Sequence, residues 1–176
     1  MKKLVLMLII ATLVSAGVFA EVRLDLGIKA PLEIGIEGLT DEDGNAIDAS
    51  IPVPEFLPIP SGMIAGQLGL GPIKLGAGLN VYSVIVQTLL YPAVYAELDI
   101  GFLAAQLNLG GFVFGTFGIA GSSLSTSDLL IPDLSAHLKL GIFQVGLGVA
   151  AFTSSNVVED AFPYVAYFSA KVSLDF

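Results

Sequence analysis

Residues 162–176 read FPYVAYFSAKVSLDF. Phe162, Tyr164, Ala166, Phe168, Ala170, Val172, Leu174 and Phe176 share one parity. Pro163, Val165, Tyr167, Ser169, Lys171, Ser173 and Asp175 share the other. A period of two held this long means an extended strand with two chemically different faces. The same alternation runs outward through the chain. Between residues 22 and 36 the apolar even positions are separated by Arg23, Asp25, Lys29 and Glu33. Residues 73–81 alternate against Lys74, 94–102 against Glu97 and Asp99, and 134–142 against His137 and Lys139; 145–151 alternate against glycines. Two weaker strands are expected at residues 64–70 and 107–117. The second loses phase at Gly110-Gly111, where a β-bulge is predicted.

The connections alternate in length. Residues 37–62, 83–93, 118–133 and 153–161 are expected as long loops; Gly71-Pro72, 103–106 and Phe143-Gln144 are expected as short turns. An even strand count with turns on one side and loops on the other predicts an all-β fold, an eight-stranded antiparallel up-and-down transmembrane β-barrel with short periplasmic turns and long extracellular loops.

Composition fits a barrel in lipid. The chain has 176 residues, 55% hydrophobic and 13% charged, with no cysteine and no tryptophan. Disulfides, thiol chemistry and thiolate metal sites are excluded, and seven basic against sixteen acidic residues argue against nucleic-acid binding. Lys2 and Lys3, an apolar run from Leu4 to Val14 and small residues up to Ala20 have the order of a secretory signal peptide. The run is shorter than the ~20 residues a spanning helix needs. The expected organisation is a cleaved signal peptide over 1–20 and a barrel domain over 21–176.

The alternation also sorts the charges. Arg23, Asp25, Lys29, Glu33, Lys74, Glu97, Asp99, His137, Lys139, Lys171 and Asp175 fall on the polar parity, and no charge falls on the apolar face of a strand. A lipid-facing Arg or Lys at mid-depth costs ~2–4 kcal/mol, so this partition predicts lipid outside and a charged network filling the lumen. Asp133 is placed at the edge of a long loop. The inward glycines are read as making room for the long charged side chains. Tyr82, Tyr91, Tyr95, Phe117, Phe152, Phe162 and Tyr164 are read as an outer aromatic girdle.

With its leader, its strand plan and a last strand that carries Phe168, Val172 and Leu174 and ends on Phe176, the chain resembles the small eight-stranded bacterial outer-membrane barrels typified by OmpX, OmpW and the OmpA barrel. The resemblance implies that Phe168, Val172, Leu174 and Phe176 form an assembly signal read by the barrel-assembly machinery. It also implies an integral outer-membrane location among outer-membrane lipids, and a monomer.

The long loops carry the remaining signals. Asp41, Glu42 and Asp43 form an acidic turn; the twelve-residue calcium-loop pattern is incomplete there. Pro52, Pro54, Phe56, Pro58 and Pro60 form a stiff, apolar, proline-rich segment, read as a lid over the barrel mouth. These loops are the expected surface for a host or envelope ligand. No catalytic residue, metal site or cofactor is assigned, because His137 has no nucleophile arranged beside it in sequence and one histidine without cysteine makes a poor transition-metal site. The expected function is a structural or surface-interaction barrel; the alternative is a narrow passive channel for small or hydrophobic solutes, as a porin-like, OmpW-type resemblance implies. A lipid A-modifying enzyme and a soluble lipid carrier rank below both.

Overall fold

The computed structural model describes residues 21–37, 51–52, 58–84, 87–119, 121–153 and 162–176. Nine strand segments occur in them: β1 (Glu21–Glu37), β2 (Ile51–Pro52), β3 (Ile59–Leu70), β4 (Ile73–Val84), β5 (Gln87–Asp99), β6 (Leu103–Gly118), β7 (Gly121–Leu140), β8 (Phe143–Ala151) and β9 (Phe162–Asp175). They form one sheet in the order β2-β1-β3-β4-β5-β6-β7-β8-β9, and β1 also pairs β9. Every pairing is antiparallel. β2 and β3 lie on the same edge of β1, β2 opposite Glu33-Ile34 and β3 ending opposite Lys29. They are two pieces of one stave, so the barrel has eight staves and is closed by the ladder from Arg23↔Asp175 to Glu37↔Phe162.

The apolar parity faces outward. Leu26, Ile64, Leu75, Val94, Leu98, Leu107, Leu134, Leu138 and Leu147 are all exposed, whereas Arg23, Asp25, Glu97 and His137 are buried. This is the inverse of a soluble barrel, and it is the arrangement of a transmembrane β-barrel. Each short turn, at Gly71, Gly101 and Gly141, carries its glycine at positive φ.

Several boundaries differ from those expected. β3 starts at Ile59, five residues before the expected strand. β5 starts at Gln87, and the turn before β6 is at residues 100–102, so 103–106 is strand. Expected loops 83–93 and 118–133 are instead largely paired strand, with ladders that run to Val84↔Gln87 and to Gly118↔Gly121. Ladder hydrogen bonds carry this extension even where the side chains are serines, and the Thr116 and Ser123 hydroxyls bond across it at 2.7 Å.

Two irregularities shift the faces. The predicted bulge occurs at Gly110–Phe112, with Gly111 at φ 128° and Phe112 at φ 65°. It turns Phe112 outward, but Phe114 stays inward and buried. A second bulge lies between Pro31 and Glu33. Pro31 has no N–H for the ladder, and the extra residue, Leu32, shifts the phase. Beyond it, Glu33 pairs Ala166 and Gly35 pairs Tyr164, on the face opposite to the lumen. Glu33 therefore does not join the lumen network expected for it; its carboxylate accepts a 2.6 Å bond from the Tyr164 hydroxyl on the outer face.

Candidate functional site

The lumen is filled in layers from the short-turn end upward. At that rim Lys74 meets Asp175 at 2.8 Å and Asp99 at 3.7 Å, and Lys139 meets Asp99 at 2.5 Å. One level higher, Arg23 donates from Nε to Asp25 at 2.9 Å and from Nη1 to Glu97 at 2.7 Å. Lys171 donates to the second Asp25 oxygen at 2.9 Å and to Gln106 at 3.2 Å. The Ser173 hydroxyl also donates to Asp25, at 2.6 Å. The guanidinium lies 5.5 Å from the Tyr95 ring centre, and the Tyr95 hydroxyl donates to Gln67 at 2.7 Å.

His137 occupies the middle. Gly146 of β8 sits in register between His137 of β7 and Ser169 of β9. Without a side chain at Gly146, His137 Nε2 and Ser169 Oγ meet at 2.7 Å. His137 is 4% exposed, and its Nδ1 has no hydrogen-bond partner. A Ser–His contact with no third group to orient the imidazole lacks the arrangement that activates a nucleophile. Around it lies a polar cavity of about 60 Å³ whose walls include Asn80, Asn108, Ser135 and Lys171, room for a few water-sized molecules.

Above this, Lys29 is held by three oxygens: Asp133 Oδ2 at 2.5 Å, Tyr82 Oη at 2.8 Å and Tyr167 Oη at 3.0 Å. The Tyr167 hydroxyl donates to the other Asp133 oxygen. The lumen then turns apolar: Tyr82 and Tyr91 stack with centroids 5.8 Å apart, and Phe114, Ile131 and Ala93 pack beside them.

All five basic residues of the barrel are thus paired inside it. Of the residues expected in the lumen, the structure brings together Arg23, Asp25, Lys29, Lys74, Glu97, Asp99, Lys139, Lys171 and Asp175, with His137 among them and Glu33 outside. Asp133 is the acid that sequence reasoning misplaced: it is 6% exposed and neutralises Lys29. Its parity with Ser135, His137 and Lys139 was the available signal. The same signal existed for the tyrosines. Tyr82 shares parity with Asn80, and Tyr91 and Tyr95 share it with Glu97, so these three line the lumen and are not girdle residues; Phe152 also packs inward.

The glycines serve these rings. A Cβ at Gly76 would meet the Tyr95 ring, one at Gly110 the Tyr91 ring, one at Gly148 the Tyr167 ring and, on the outer face, one at Gly35 the Tyr164 ring. Four of the five tyrosines lie over a glycine. At these positions the space is taken by aromatic rings, whereas at the inward Gly27 a Cβ would meet Lys171, as expected of a glycine that makes room for a charged side chain.

Asp41, Glu42, Asp43, Pro54 and Phe56 lie outside the described residues, as does the leader. Pro52 is in β2; Pro58 and Pro60 are exposed where β3 begins. Phe168, Val172 and Leu174 are half-buried on the outward face of β9, and Phe176 is exposed at its end. Among the described residues no three His, Asp or Glu side chains converge as a metal cage.

No protein-family model matches the chain, and no curated protein does. Among solved structures the chain is similar to Neisserial surface protein A (NspA), at 10% identity over 86% of this chain and 96% of that one, TM-score 0.43. It is also similar to Ail, the attachment invasion locus protein of Yersinia pestis, at 10% identity over 89% and 99%, TM-score 0.39. A structure of Ail in complex with the heparin analogue sucrose octasulfate matches at 14% identity over the same shares, TM-score 0.39.

Proposed function

We propose that the chain is an integral bacterial outer-membrane barrel, exported by a leader cleaved after Ala20, whose lumen is closed and whose work is done at its long-loop end. The observation that carries this reading is the pairing of every lumen cation inside a belt of outward apolar side chains. Uncompensated charges in so narrow a space are very costly, so the pairs act as a plug. The acidic run Asp41–Asp43 and the proline-rich sequence that follows it then supply the surface for a host or envelope ligand. No catalytic role is assigned.

The test has two parts. Folded mature protein in planar bilayers is expected to be electrically silent, and on gels to shift mobility only after boiling. Deleting residues 41–50, which spares β2 and β3, is expected to leave that heat-dependent shift intact and to abolish ligand binding by cells that display the protein. Discrete conductance steps altered by Lys74→Ala or Glu97→Ala would instead establish the narrow conduit. The polar cavity around His137 favours that second reading.

A further inference from the structure

The upper half of the lumen is unlike the lower. Above the Lys29 layer lies a cavity of about 240 Å³ walled by Pro31, Ile59, Leu89, Ile131, Phe152 and Val165. Its polar side chains are confined to Lys29 and the tyrosines 82, 91 and 167. A barrel that only needed a plug would fill this space, because cavities of this size forfeit packing contacts.

The floor decides what fits. Lys29 has three N–H groups, and all three are spent, on Asp133, Tyr82 and Tyr167. Its charge is neutralised by Asp133, and the Tyr167 proton is committed to that same carboxylate. The chamber therefore offers no free cation to an anionic head group. The polar groups left to a ligand are the hydroxyls of Tyr82, which accepts from Lys29, and of Tyr91, a hydrogen-bond partner of Tyr82. Size sets the rest. An apolar cavity of ~150 Å³ stays dry and takes a benzene ring, so this chamber suits one or two rings, about ten non-hydrogen atoms.

We infer that the outer half of the lumen is a dead-end binding chamber for a small neutral apolar molecule, an aromatic or alicyclic compound of one or two rings, closed below by the Lys29–Asp133–Tyr82–Tyr167 layer. The inference is independent of what the loops bind. It differs from a conduit, because the ligand enters and leaves by the same end.

Isoleucine positions give the test an internal control. Ile59 and Ile131 line the chamber, whereas Ile64, Ile73 and Ile142 are exposed on the outward side. The full mature barrel, labelled at isoleucine methyls and held in phosphatidylcholine nanodiscs, is titrated with naphthalene and followed by NMR. Saturable shifts at Ile59 and Ile131, with proportional drift at Ile64, Ile73 and Ile142, are the expected result. Ala150→Leu, which fills the chamber from β8, is expected to weaken the saturable phase at least tenfold. Methyl shifts that rise in parallel at all five positions, or saturation unaffected by Ala150→Leu, overturn the inference. If Ala150→Leu fails to give a heat-shifted barrel, Ile131→Ala decides: it enlarges the chamber and must admit anthracene with saturation where the parent chain does not, and failure to do so refutes the proposal.

Discussion

Asp133→Leu strands the Lys29 ammonium. The side chains of this pair are 22% and 8% exposed, so solvent screens the charge little. The substitution leaves Nζ with two neutral tyrosine oxygens in place of a carboxylate, frees one N–H, and takes the acceptor from the Tyr167 hydroxyl. Removing one partner of a buried ion pair costs about 3–5 kcal/mol. The partial exposure of Lys29 puts the expected loss at the lower end, about 3 kcal/mol. Replacing both partners by apolar residues of similar volume, as in Lys29→Met with Asp133→Leu, is expected to stay within about 1 kcal/mol of the parent chain, since such swaps are often neutral or stabilising. The assay is urea unfolding in lipid vesicles, scored by the fraction of heat-shifted barrel on gels. The reasoning fails if Asp133→Leu costs less than about 1 kcal/mol, or if the double variant loses as much as the two single losses added.

Gly76→Ala is expected to cost about 1–3 kcal/mol, because the new Cβ would lie 2.5 Å from Tyr95 Cζ; in a Tyr95→Leu background the same change should be nearly neutral, and additive losses would refute the ring-over-glycine account. Leu26→Lys on the outward face of β1 should lose about 2–4 kcal/mol in vesicle unfolding, whereas Ser122→Lys, exposed on the hairpin beyond the belt, should stay within about 0.5 kcal/mol; equal losses would contradict the placement of lipid. Phe112 sits at φ 65°, so Phe112→Gly is expected to be more stable than Phe112→Ala by about 1 kcal/mol, and the opposite ranking would mean that the bulge is not strained.

Strand existence, the eight-stave plan, the lipid-facing parity and most lumen charges were legible because one rule, a period of two, governs them all. The misreadings occurred where that rule is interrupted or competes with composition. Pro31 inserts a bulge that no alternation count reveals, and Glu33 crosses to the outer face with it. Ser122, Ser123 and Ser125 look like loop by composition, but backbone pairing to β6 makes them strand. Asp133 reads as a loop acid because the serine-rich composition before it hides the strand that β7 makes there. Tyr82, Tyr91 and Tyr95 read by residue type as a membrane girdle, although their parity with Asn80 and Glu97 places them inside. The apolar chamber was not readable at all: it exists because side chains from several distant strands fail to meet, and no local pattern encodes a gap.

The ion pairs also constrain how the molecule is assembled. Arg23 on β1 meets Glu97 on β5, Lys29 on β1 meets Asp133 on β7, and Lys74 on β4 meets Asp175 on β9. In each case the partners are three staves apart in the sheet. The first pair lies within the run β1-β3-β4-β5, but the other two are five staves apart in an open sheet and come to three only through the β1–β9 seam, so a growing sheet cannot join those two. These charges stay hydrated until the two ends of the sheet come together, and neutralisation arrives with closure. Water must therefore leave the lumen last, after the wall is built. Contacts of such long sequence separation make folding slow. A half-built barrel is thus marked by its own unpaired interior charges, which only the completed ring removes.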